Sequence, residues 1–229
     1  MPRDLPIFPL PLVLFPGATQ PLHIFEPRYR ELLADSLAGD RRFGIAYVAD
    51  ASGGGGDPAP QPGDIGCVAE IRTTQALSDG RSNVLTVGGR RFTLLKWLAI
   101  DRAYRLAQVE EFADDPVDPA EASAVAADVR RDFQRLRAAL ATLTDRSDEA
   151  PALPADPELL SFQIAARLEL EPPGKLELLR LRSTVGRLRR LAALLAPLSA
   201  DAERRAAVRL HARGNGKSRL HRDIERTAP

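Results

Sequence analysis

One apolar stripe constrains the fold of this chain more than any other feature. Val125, Val129, Phe133, Leu136, Leu140 and Leu143 recur at offsets 0, 4, 8, 11, 15 and 18, the spacing of a single face of an α-helix. A face that apolar must pack against another element. Its start is marked by Asp118-Pro119-Ala120-Glu121, which supplies a capping carboxylate, a first-turn proline whose missing N–H costs nothing, and an acid three residues after the cap. Asp156-Pro157 opens a second helix expected to reach about Leu170, and Pro172-Pro173-Gly174 breaks it. A third helix is expected from about Lys175 to Leu195. Leu181, Val185, Leu188, Leu191 and Leu195 form its buried stripe, and Arg182, Arg187, Arg189 and Arg190 fall on solvated faces. After Pro197 a short polar helix, Asp201 to Arg213, is expected to end at Gly214-Asn215-Gly216.

The first half of the chain obeys a different rule. Pro2, Pro6, Pro9, Pro11 and Pro16 interrupt any early helix, so Leu5 to Phe8, Leu12 to Phe15 and Leu22 to Phe25 read as short strands. One helix is inserted after them. Pro27 suits its first turn, Tyr29, Leu32, Leu33 and Leu37 share a face, and Gly39 is expected to close it in a left-handed cap. Phe43 to Val48 and Ile65 to Thr74 read as strands flanking a loop, Ala51 to Gly63, whose glycine run predicts mobility. Asp79-Gly80 marks a hairpin between Ile71 to Leu77 and Val84 to Leu95, and Tyr104 to Phe112 is a last strand. The expected class is α+β: a mostly antiparallel β-rich unit over residues 1–115 with one inserted helix, a helical bundle over 116–198, and a polar, arginine-rich tail over 199–229.

Composition narrows the function classes. A net charge of +1 gives no global attraction to nucleic acid or membrane, although the basic charge is nearly all arginine and concentrates after Arg180. The single cysteine, Cys67, makes an internal disulfide impossible, and no Cys/His cluster has metal-ligand spacing. No stretch approaches the 18 apolar residues that a membrane span needs. These features predict a soluble, unprocessed cytoplasmic protein without membrane partner, cofactor or metal.

Three ordered stretches near the N-terminus carry a resemblance: Leu5-Pro6-Ile7-Phe8-Pro9-Leu10, Val13-Leu14-Phe15-Pro16-Gly17, and Pro21-Leu22-His23-Ile24-Phe25-Glu26-Pro27-Arg28-Tyr29-Arg30. Together they resemble the opening of the Lon protease N-terminal, substrate-binding domain family. Ile65 to Ile71, Asn83 to Phe92 and Ser161 to Leu168 are similar to the same family, which extends the resemblance over roughly residues 5–198. The resemblance implies a PUA-like β pseudo-barrel followed by a helical bundle, with a similar domain in cereblon. It further implies a free-standing, non-catalytic module that binds unfolded or degron-bearing polypeptides, serves protein quality control as an adaptor, and has a Lon-type protease as a candidate partner.

The residues of the densest motif read as structural. Pro16-Gly17 is a turn, and Glu26, Arg28 and Arg30 are near enough for a charge pair at the helix start. His23 lies in an apolar strand with no second histidine nearby, which predicts a hydrogen-bonded core group and not a metal ligand. Phe25, Pro27 and Tyr29 complete the motif. No catalytic residue is predicted. The string Gly216-Lys217-Ser218 lacks the glycine that a phosphate loop needs at position 211, where His211 stands. Lys96, Lys175 and Lys217 lie in unrelated settings, so no serine–lysine peptidase pair is assembled. Glu110-Glu111 and the linker pair Asp114-Asp115 read as solvated charge. The alternative function is a PUA-like nucleic-acid binder using the C-terminal arginines, although no aromatic platform for single-stranded RNA accompanies them.

Overall fold

The computed structural model describes residues 1–49, 59–144 and 152–224, with side chains described as far as Ala212. The glycine run Gly53–Gly56 lies outside the described residues, and with it most of the loop expected to be mobile. Six strands, β1 (Pro2–Leu10), β2 (Thr19–Ile24), β3 (Arg42–Tyr47), β4 (Ile65–Ala76), β5 (Ser82–Leu98) and β6 (Arg105–Phe112), form one sheet, with α1 (Pro27–Ala38) inserted between β2 and β3. Every pairing is antiparallel except β1 with β3. Five strands close a ring, since β1 pairs with β3 and β6, and β5 pairs with both β4 and β6. The 17 residues of β5 make closure possible: its first half carries β2, and its second half carries β6.

The ring interior is filled by Leu5, Ile7, Val68, Phe92, Leu94 and Val109. A second core lies under α1, where Tyr29, Leu32 and Leu33 meet Phe8, Phe43, Ile71 and Val84. The expected strand over Leu12 to Phe15 is absent. That segment is a loop, and its apolar residues are still buried, because Leu14 enters the α1 core and Phe15 enters the helical core. Gly39 does not adopt the left-handed conformation (φ −97°). Arg41 takes it instead, at φ 62°. The hairpin at Asp79-Gly80 forms as expected, with Gly80 at φ 80° and its N–H on Leu77 C=O at 3.0 Å.

Four helices follow: α2 (Pro119–Thr144), α3 (Pro157–Arg167), α4 (Pro172–Arg180) and α5 (Thr184–Ile224). Asp118 and Asp156 both cap as read, accepting from the N–H of Ala120 (2.9 Å) and Leu159 (2.7 Å). Helices α2 and α5 run parallel, since Glu121 pairs with Arg189 and, further along both, Arg135 pairs with Glu203. Of the α2 stripe, Val129, Phe133 and Leu136 are buried in this seam, Val125 and Leu143 are half-buried against it, and Leu140 is 46% exposed while Ala139 takes the inward position.

The third helix departs from its expected course. Residues 172 to 195 form not one helix but two, because the chain turns extended at Leu181 (ψ 125°) before α5 begins. Nor does α5 stop near Pro197 or at Gly214-Asn215-Gly216. Pro197 and Ala193, four residues before it, are both exposed, so water can serve the carbonyl that a proline leaves unbonded. Ala202 and Ala206 are buried in the helical core. Residues 199–206, expected as the start of a polar tail, therefore pack on the bundle.

Candidate functional site

The motif residues of the first thirty positions divide between two places. Pro16 and Gly17 form a turn at the seam between ring and helices, with Gly17 at φ 71° and its N–H on Gly88 C=O at 2.7 Å. A side chain there would meet Leu159 Cδ1 at 2.5 Å and Gln163 Nε2 at 2.9 Å, so glycine is required both by conformation and by the approach of α3. The others gather where β2 enters α1. Glu26 and Arg28 pair at 3.0 Å, and the Arg28 guanidinium lies 4.6 Å from the centroid of the buried Tyr29 ring, while Pro27 occupies the first turn of α1. His23 departs from expectation. It is exposed, its Nδ1 lies 2.8 Å from Asn83 Oδ1, and its ring stacks beside Phe25 at 6.1 Å between centroids. Phe25 is 59% exposed.

His23 lines an open groove of about 460 Å³ on the outer face of β2, β5 and β4, and Phe25 lies against the His23 ring. Register builds it from two cross-strand rows. Pro21 faces Leu85, which faces Thr73, and His23 faces Asn83, which faces Gln75. Leu85 lies on the middle strand and is nevertheless 37% exposed. The lining residues are apolar or neutral polar, apart from the imidazole of His23, and Thr74 Oγ1 has no hydrogen-bond partner. This setting is unusual in a chain so rich in charge. Sequence reading missed the groove because alternation in β5 shows which residues share a face, and not that the outer face is left uncovered.

A second feature contradicts the solvated reading of Arg187 and Asp114. The Arg187 side chain is 0% exposed and that of Asp114 is 4% exposed. Asp114 accepts from Arg187 Nη2 at 2.6 Å, and also from Arg91 and from Thr184 Oγ1. Arg187 Nε donates to Ser161 Oγ at 2.7 Å, and its guanidinium lies 3.7 Å from the Phe162 ring centroid. Arg91 Nη1 donates to the carbonyls of Leu179 (2.9 Å) and Leu181 (2.7 Å), and Arg187 Nη1 also reaches Leu181. These arginines hold carbonyls at the end of α4, which accounts for a helix break that no glycine or proline marks. Two guanidiniums share one carboxylate here, and carbonyl dipoles supply the rest of the compensation. Nearby, burial raises the Glu158 carboxyl above its ordinary range, Asp114 adds to the rise, and Arg187 and Arg91 oppose it.

Other ionisable groups are structural. Burial pushes the Cys67 thiol well up, which keeps it protonated and unreactive. Arg102 and Tyr104 hydrogen-bond the Asp35 carboxylate and hold it below the usual range. Among the described residues no group of three or more His, Cys, Asp or Glu is placed to hold a metal ion, and no helix is long and apolar enough to cross a membrane. Among the described residues, several exposed arginines of the helical half are paired with acids, Arg182 with Asp115, Arg189 with Glu121, Arg190 with Glu177 and Arg204 with Asp201. Among the described residues nothing supports the nucleic-acid alternative, and the side chains of Arg213, Arg219, Arg222 and Arg226 lie outside them.

Comparison with known proteins agrees with this architecture. The chain is similar to a Lon N-terminal domain protein from Xanthomonas campestris, with TM-score 0.58 and 26% identity over 83% of this chain and 98% of that one. It also shares the fold of the N-terminal domain of the Mycobacterium avium complex Lon protease, with TM-score 0.62 and 18% identity over 87% and 99% of the two chains. In sequence it is 28% identical to Lon protease 2 of Herpetosiphon aurantiacus over 84% of its length, and 29% identical to Lon protease of Roseiflexus castenholzii over 85%. The matched part is only 23% and 24% of those two proteases. Residues 4–196 match the model of the ATP-dependent protease La (LON) substrate-binding domain, and the chain belongs to that family.

Proposed function

We propose that this chain is a non-catalytic polypeptide-binding module whose contact surface is the groove on β2, β4 and β5. In this reading it holds unfolded or degron-bearing polypeptides in the cytoplasm and acts as an adaptor in protein quality control, with a Lon-type protease as its partner. The observation that carries the proposal is the uncovered row Pro21–Leu85–Thr73 beside the row His23–Asn83–Gln75. Membership of a substrate-binding family supports it. An extended chain can lay apolar side chains on such a face, and the lining holds no acidic, lysine or arginine side chain. Binding at one site is expected near micromolar, because ordering a flexible client offsets much of the contact energy.

The test is a titration with a reduced, unfolded client and with the same protein in its native form, at low and high salt. Preferential binding of the unfolded form, little affected by salt, is expected. Equal affinity for both forms, or no binding to either, would contradict the proposal.

A further inference from the structure

The groove is bounded by strand edges, and the usual way for a sheet to take up an extended chain is to add it to an edge through main-chain hydrogen bonds. Here that route is blocked on both sides. Gly88 N–H donates to Ala18 C=O at 2.9 Å, and Thr86 Oγ1 donates to Gln20 C=O at 2.9 Å. Even-numbered residues of β2 thus turn their main-chain groups toward β5, and Thr19, Pro21 and His23 turn theirs outward. At the centre of that outward edge Pro21 has no N–H to give, and its carbonyl already accepts from Gln20 Nε2 at 2.9 Å. On the far side, β4 carries a register shift between Ile71 and Thr73, and the exposed Arg72 there pairs with Glu70 at 3.1 Å. Bulges, charges and prolines are the devices that keep an edge from pairing.

We infer that the groove reads a client by its side chains and not by its backbone. This inference rests on the polypeptide-binding reading above. The occupant is an extended, uncharged segment with apolar side chains at alternate positions, laid on the face formed by Pro21, Leu85 and Thr73 and flanked by the His23–Asn83–Gln75 row. The lack of charge in the lining fits an uncharged segment, and the alternate spacing of side chains along an extended chain, about 7 Å, suits a face built from strands. Sealed edges also keep copies of this chain from pairing with one another through the same strands.

Backbone N-methylation tests the inference directly. The probe is an acetylated, amidated peptide of about eight residues alternating leucine with glutamine, compared with the same peptide N-methylated at alternate positions and with one whose leucines are replaced by serine. N-methylation is expected to change affinity by less than about threefold, and loss of the leucines to weaken it more than about tenfold. A Gln20→Ala/Pro21→Val variant, which opens the β2 edge, is expected to prefer the unmethylated peptide. If N-methylation abolishes binding to the wild-type chain, the inference is overturned and the polypeptide-binding reading survives. If the unmodified peptide does not bind at all, both fall.

Discussion

Asp114 shows how far a residue's neighbours in sequence can mislead about its surroundings. It sits between Ala113 and Asp115 in a proline-containing linker, a setting that predicts solvated charge, yet it is the shared acceptor of Arg91 and Arg187. The information that buries it is 23 residues away on one side and 73 on the other, and no local pattern carries it. Removing the carboxylate leaves two guanidiniums in a dry site, so Asp114→Ala is expected to destabilise the chain by about 3–5 kcal/mol in urea denaturation. Asp201→Ala, which breaks an exposed pair, is expected to cost no more than about 0.5 kcal/mol. Glu158 gives a prediction of opposite sign. Its folded pKa is raised, so its ionised form opposes folding at neutral pH, and that cost disappears as pH falls below the ordinary value of 4.5. Glu158→Gln should therefore stabilise at pH 7 and have little effect near pH 4, measured by the same denaturation at both values.

Among elements, those with strong local punctuation were legible. The caps at Asp118 and Asp156, the α1 face and the Asp79-Gly80 hairpin all formed where their residues placed them. The misses were elements decided by distant partners. The α4–α5 break depends on Arg91 and Arg187 taking carbonyls of Leu179 and Leu181, and Leu12 to Phe15 forms no strand because Phe15 is drawn into the helical core. Gly17 joins ring and helices through a contact that excludes any side chain. Gly17→Ala is expected to cost about 1–3 kcal/mol, from positive φ and from displacement of Leu159, read as a lower thermal midpoint with unchanged circular dichroism at low temperature.

At the scale of the whole molecule, a closed ring and a helical bundle share one seam, and an uncovered, largely apolar face lies on β2, β4 and β5. Family membership was legible from motif order, since the sequence stretches that carry it include Gly17, Arg91 and Ser161, residues that hold the seam together. The groove was not, because Leu85 looks like an ordinary core residue in a one-dimensional pattern. The central claim is that this face binds polypeptide, and Leu85→Asp tests it most directly. Leu85 is 37% exposed on a central strand, so the substitution is expected to cost about 1 kcal/mol, from lost strand propensity and cross-strand contact, and to leave the chain folded. Titration of a reduced, unfolded client against the wild-type and Leu85→Asp chains is expected to show affinity lowered about tenfold or more, since a charge is placed among apolar contacts. Equal affinity of the two chains, with both folded, would contradict the account.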